Sequence, residues 1–287
     1  MDTKYWGPSG WRLLHLIAEN EASMKPVGEE YWHGLHVRFW SVLPYVLPCK
    51  FCRSSLTTYY EKYPIPADNR KMGRWLYKIH NCVNDKLRSQ GQNIPAPPPY
   101  SAVKKHYREL LGLGCTELNF PGWEFLFCIA DNYPGSAPSA PMPDAPANAN
   151  EISKMDDATK NKYNLLTAAE RIEYLARFWN SLGAVMPFAE WRSVFDDYCG
   201  SRAQCVRDFR GSGAAKSRLW ALKCRLEGAL DKKSKESYYD LCRVVASKRS
   251  GCSVSARART CRAAPASAPA QAQEKRSKTQ KKKHDNK

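Results

Sequence analysis

The sequence predicts an all-α protein: a four-helix bundle with a short fifth helix, then a second helical domain, then a disordered basic tail. Three observations carry this. Apolar residues recur at helical spacing through most of the chain, alternating strand patterns are absent, and two low-complexity stretches separate the periodic regions. A length of 287 residues suits two domains. A hydrophobic content of 43% is ordinary for a chain that buries cores and excludes wholesale disorder.

The first helix is read from Trp11, Leu14, His15 and Ala18, one face of a helix begun near Pro8. Tyr31, Leu35, Phe39 and Val42, ahead of Pro44, give the second. The third runs over 49–63, bounded by Pro48 and Pro64. Leu76, Ile79, Val83 and Leu87 mark the fourth, opening near Asp68 or Asn69 and ending before Gly91. A short fifth covers 100–111 and one more lies in 121–129. Short connections between the first four favour an antiparallel bundle. Residues 134–150 hold five prolines and no large apolar residue except Met142, which reads as a linker between domains at 1–133 and 151–248. Helices are expected in the second domain at 156–163, 168–182, 188–198, 214–230 and 235–246, the fourth with a stripe of Leu219, Leu222, Leu226 and Leu230. The glycine-rich run Gly211 to Lys216 follows no strand and is expected to be a loop.

The net charge of +17 is unevenly placed. Residues 1–133 carry 16 basic and 12 acidic groups, 134–248 carry 18 and 14, and 249–287 carry 11 and 2. That last segment, rich in Ala, Ser and Pro, cannot bury enough surface to offset the entropy of ordering and reads as disordered. It would give weak, non-specific polyanion contact and says little about the folded part. No apolar run approaches the ~18–20 residues needed to cross a bilayer, so no membrane partner is expected. The N-terminus lacks the pattern of a secretory signal, so the protein is expected not to be secreted.

The strongest chemical signal is Leu47-Pro48-Cys49-Lys50-Phe51-Cys52-Arg53. A Cys-x-x-Cys pair at a helix start sits on unpaired N–H groups and a positive dipole end, beside Lys50 and Arg53, and all of these favour a thiolate. Such a pair can close a disulfide and exchange it with incoming thiols. A zinc site would want a second matching pair, and His80 and Cys82 point to different sides of one helix, so no metal is expected. A thioredoxin-like fold would need a βαβ context, which is missing. His80 and Asn84 flank the apolar stripe of the fourth helix, and His15 shares a face with Trp11 and Leu14. Each is either a satisfied structural side chain or a contact to a polar ligand held between helices.

In order, Trp6-Gly7-Pro8-Ser9-Gly10-Trp11-x-x-Leu14-His15, the Leu-Pro-Cys-x-x-Cys segment and His80-Asn81-x-Val83-Asn84-x-Lys86-Leu87 resemble the Erv/ALR family of FAD-linked sulfhydryl oxidases. The form around Cys49 looks most like members from large cytoplasmic DNA viruses. The resemblance covers roughly residues 3–110. It implies a helical bundle holding FAD, usually as a homodimer, without a Rossmann fingerprint. By the match, Gly7, Trp11 and His15 contact the cofactor from the first helix and Tyr45 from the second. His80, Asn81, Val83, Asn84 and Lys86 would line the pocket, with Tyr107 and the neighbouring His106 completing it. Cys52 would be the flavin-proximal sulfur and Cys49 the one that meets protein dithiol substrates. Electrons would pass from the dithiols through Cys49 and Cys52 to FAD, then to molecular oxygen as hydrogen peroxide. A viral member would work in the host cytoplasm or the virion. A second, shuttling pair would be Cys252 with Cys261, or Cys199 with Cys205, while Cys115 and Cys128 are candidate structural partners. The alternative from other classes is a non-catalytic adaptor, stabilised by zinc or binding nucleic acid through its tail.

Overall fold

The computed structural model describes residues 1–20, 29–135, 140–199, 209, 211–232 and 234–249, and among them the regular structure is helical, with no strand. The expected basic tail beyond 249 and the cysteines Cys205, Cys252 and Cys261 lie outside the described residues, as does the side chain of Cys199.

Helix α1 spans Thr3–Glu19. It starts five residues before Pro8 because Asp2 caps it, its carboxylate accepting the Lys4 amide at 3.0 Å. Pro8 is therefore inside the helix and not at its start. Helix α2, Glu29–Val46, likewise runs through Pro44. Helix α3 covers Lys50–Lys62, and α4 covers Met72–Ser89 behind a short 3₁₀ turn capped by Asp68. Helix α5 spans Tyr100–Gly112. Helix α1 packs on α4 and α5, α4 on α3, and α3 on α2, which is the bundle. Helix α6, Trp123–Asp131, is buried along almost its whole length and lies against α1.

Beyond it come α7 at Ala149–Ser153, which begins in the last two residues of the stretch expected to be linker, and α8 at Asp157–Tyr163. Helix α9, Ala168–Leu182, has a full capping box between Thr167 and Glu170. Helices α10 (Ala189–Cys199), α11 (Ser212–Ala229) and α12 (Tyr238–Ser247) follow. The segment after Gly211, expected as a loop, is instead the opening of α11: Gly211 takes φ 80° just before it, and Ala215 is fully buried in the core.

This C-terminal part shares one core with the bundle. Helix α9 packs on α2, α8 on α3, and α11 and α12 on α6. Phe39 meets Phe178 with ring centroids 5.7 Å apart. Asp131 at the end of α6 accepts from Lys216 at 2.6 Å and from Arg249 at 2.6 Å, which ties α11 and the segment after α12 to α6. Among the described residues no helix is long and apolar enough to cross a membrane.

Candidate functional site

The site is organised around the start of α3. Cys49 is the residue before the helix, with φ −129° and ψ 124°, and Cys52 lies in its first turn; both are thiols. No acidic residue occupies that turn, so the helix dipole acts on both sulfurs unopposed by a local carboxylate.

The two cysteines serve different cavities. Cys52 lines one of about 310 Å³ between α1, α3 and α4, with mostly apolar walls including Trp6, Trp11, Leu14, Leu56, Ile79 and Val83. Its polar groups include Ser55, His80, Asn84, Lys86, Gln90 and Gln92. Cys49, only 2% exposed, lines a second cavity of about 680 Å³, and the far wall of that one comes from the C-terminal part.

Packing explains the first cavity's shape. At Gly10 a Cβ would come within 3.0 Å of the Phe125 ring, so glycine lets α6 approach there. At Gly7, on the cavity side, a Cβ would meet nothing within 4 Å. Lys86 donates to Ser55 Oγ at 2.6 Å, a neutral acceptor that leaves the ammonium with donors for an anion.

Behind this wall stands a histidine pair. His15 Nε2 and His80 Nδ1 are 3.1 Å apart, Trp11 stacks on His80 at 4.0 Å and 9°, and Tyr107 stacks on His15 at 4.9 Å and 16°. Burial, with a smaller push from His80, lowers the His15 pKa to about 3, and burial lowers that of His80 to about 4. Both rings are therefore neutral near pH 7, and a single proton lies between them. His15 Nδ1 is buried without a hydrogen-bond partner. An unmatched lone pair costs less than an unmatched N–H, which places the proton of His15 on Nε2, donating to His80 Nδ1. His80 then carries its own proton on Nε2, on the ring that lines the cavity. Trp6, which also lines the cavity, has its Nε1–H buried without an acceptor among the described residues.

Of the residues singled out from the sequence, Gly7, Trp11, Cys52, His80, Val83, Asn84 and Lys86 come together on this cavity. His15 and Tyr107 stand behind its wall, and the exposed His106 meets Tyr107 edge-on with ring centroids 5.1 Å apart. Asn81 does not line it. Neither does Tyr45, whose ring stacks on Tyr174 of α9 at 3.8 Å and 5°. Cys115 and Cys128 are separate buried thiols and not a disulfide, and burial pushes the Cys128 pKa up to about 12. Among the described residues no group of three or more His, Cys, Asp or Glu is placed to hold a metal ion. The cavity also uses residues the sequence did not single out. Ser55 is one turn beyond Cys52 on the same face and could have been found by that spacing, whereas Gln92 and Ile94, in the loop after α4, carry no such signal.

Comparison with known proteins gives the same segment. A model of the Erv1/Alr family matches residues 8–107. The mitochondrial FAD-linked sulfhydryl oxidase ERV1 of Saccharomyces cerevisiae is 32% identical over 88 residues, which is 30% of this chain and 45% of that one. FAD-linked sulfhydryl oxidases of African swine fever virus isolates are 34% identical over 86 residues, 29% of this chain and 68% of theirs. The chain thus spans less than half of the yeast relative and about two thirds of the viral ones. No solved structure gives a significant match.

Proposed function

The chain belongs to the Erv1/Alr family, and on that premise we propose that it is an FAD-linked thiol oxidase that forms disulfides in protein substrates. The observation that carries the proposal is the division of one Cys-x-x-Cys turn between two cavities, with Cys52 in the ring-walled one and Cys49 in the other.

The residues of the first cavity fit a flavin dinucleotide. A mostly apolar space of ligand-pocket size, a buried unpartnered donor at Trp6 Nε1 and an open face above Gly7 suit a flat heteroaromatic ring. Trp11, Val83 and His80 would bind and orient it, Asn84 would hydrogen-bond its edge, and Lys86 would meet a phosphate. His15 and Tyr107 hold His80 in the tautomer that offers Nε2–H to the cavity. Tyr45, Asn81 and His106 are assigned no contact. When bound, FAD supplies a two-electron acceptor for the cysteine pair and delivers those electrons to oxygen, giving hydrogen peroxide.

The chain's own part is thiol exchange. A substrate thiolate attacks Cys49 Sγ of the Cys49–Cys52 disulfide; a mixed disulfide forms and Cys52 leaves as thiolate, favoured by the α3 N-terminus. The second substrate thiolate then attacks the substrate sulfur of the mixed disulfide and releases Cys49. The substrate is oxidised by two electrons, which now reside on the cysteine pair, with Cys52 on the flavin side. A homodimer is the assembly we propose.

Purified protein should be yellow, lose its visible absorbance with dithiothreitol under argon, and regain it in air. Cys52→Ser should reduce thiol oxidation to the uncatalysed background while keeping bound flavin. A colourless protein that cannot be reconstituted with FAD, or an active Cys52→Ser variant, would sink the assignment.

A further inference from the structure

The second cavity contains a charge that nothing in the fold explains. Its lining includes Lys50, Arg53 and Arg171 and no Asp or Glu. Two of these cations have work to do. Arg53 donates to the Leu47 carbonyl at 2.9 Å and to Asn164 Oδ1 at 2.6 Å, and Lys50 donates to the carbonyls of Ala140 at 2.7 Å and Pro141 at 3.1 Å. Together they lash the chain around 140 and the end of α8 onto the redox turn.

Arg171 is different. It is 8% exposed, its Nε is buried with no acceptor, and among the described residues its guanidinium makes neither a hydrogen bond nor an ion pair. It also ends the first turn of α9, where the helix dipole disfavours a cation. Burial depresses its pKa, with no carboxylate to offset the shift. A buried, unpaired cation is costly unless a counter-charge arrives. The counter-charge that reaches this cavity is the one that comes with the substrate, because Cys49 is buried in the same wall.

We propose that the cleft over Cys49 selects peptide thiols carrying a carboxylate beside the reacting cysteine, and that Arg171 pairs with that carboxylate. With Lys50 and Arg53 already occupied, one guanidinium fork is left, and its geometry matches the two oxygens of a carboxylate. The inference rests on the oxidase assignment above and gives it a substrate class. Arg171 acts in binding and takes no part in the sulfur exchange.

The test is a competition between peptide dithiols in one reaction with the full-length, FAD-loaded protein, read by mass spectrometry as a ratio of kcat/KM values. One peptide carries Glu next to its Cys-x-x-Cys and an amidated terminus; the second carries Gln there. The third carries Gln and a free C-terminal carboxylate, so it separates a chain terminus from an acidic side chain as the source. Either carboxylate peptide should be consumed at least about tenfold faster than the Gln amide. In Arg171→Gln the ratio should fall to near one, and in Arg171→Lys to an intermediate value; the Lys variant serves if the Gln variant does not fold. Equal consumption by the wild-type protein, a ratio unchanged in the variants, or oxidation of dithiothreitol but of no peptide overturns the inference alone. Failure to oxidise even dithiothreitol overturns the oxidase assignment and this inference with it.

Discussion

One turn of α3 places its two cysteines in chemically opposite surroundings. The Cys52 cavity is apolar, walled by rings and backed by two neutral imidazoles; with the exception of Phe125, its lining comes from residues before 95. The Cys49 cleft is cationic and needs both halves of the chain, since Asn164, Thr167 and Arg171 form its far wall. The difference assigns the chain's length. The N-terminal part supplies nearly the whole ring-walled cavity, and the C-terminal part contributes to the Cys49 side, where the proposal places the substrate.

The largest break in that comparison should come from Asp131→Asn. Its carboxylate is buried between Lys216 and Arg249, and Lys216 is itself almost enclosed. Removing one partner of a buried ion pair leaves the other charge stranded, at a cost of about 3–5 kcal/mol. Urea denaturation near pH 7 should show that loss. The folded fraction should keep its flavin but oxidise protein thiols less well relative to dithiothreitol. A loss below about 1 kcal/mol would mean the C-terminal part is held by apolar packing alone.

The histidine pair sharpens the other side. Both folded-state pKa values lie below the ordinary 6.5, at about 3 and about 4, so the unfolded chain takes up protons first as the pH falls. Their contribution is complete above about pH 7 and is lost from about 6.5 downward, until the folded rings also protonate. Between pH 7 and pH 4 this costs on the order of 3 kcal/mol for each ring. Carboxylates also respond to acid, so the measurement is the difference between wild type and a His15→Asn/His80→Asn variant in thermal unfolding. The variant should have the shallower pH dependence; parallel curves would show the pair to be solvated.

The contrast also separates what could be read from the sequence from what could not. Helix α9 was legible end to end because Thr167 and Glu170 form its capping box and its apolar period is regular. The start of α1 and the end of α2 differ from the expected bounds at Pro8 and Pro44, because a proline's local penalty is outweighed where the surrounding turns are buried in the core. In the Cys52 cavity, His80 and Asn84 sit one turn apart on one helix, so their meeting needed only helical spacing. The Cys49 cleft depends on contacts between distant segments. Arg171 looks like any arginine on an amphipathic helix, and nothing local signals that its side chain is buried. The place of Tyr45 outside the Cys52 cavity carries no local signal for the same reason, since its partner, Tyr174, lies far along the chain.

Lys86→Ala tests the polar rim of the flavin side. Among the described residues its ammonium has only the Ser55 hydroxyl as a partner, so its removal costs the fold little. If it meets a phosphate, FAD affinity should fall by about tenfold, the worth of one charge-assisted contact. Titration of the apoprotein with FAD, followed by flavin fluorescence, measures this. Unchanged affinity would move the dinucleotide's phosphates away from α4.

The smallest expected effect is at Tyr45, and it discriminates best between the two regions. Its ring lies flat on Tyr174, a bundle side chain spent on holding α9 and not on lining the Cys52 cavity. Tyr45→Leu keeps an apolar contact but removes the stacked pair, which is worth about 1 kcal/mol. The midpoint of unfolding should drop by that amount, with flavin stoichiometry and dithiothreitol oxidation unchanged. Tyr174→Leu should give the same loss, and the double variant little more, because both single changes break one contact. If instead Tyr45→Leu lowers flavin content while Tyr174→Leu does not, then α2 reaches the cofactor after all, and the separation between the flavin side and the C-terminal contact would have to be redrawn.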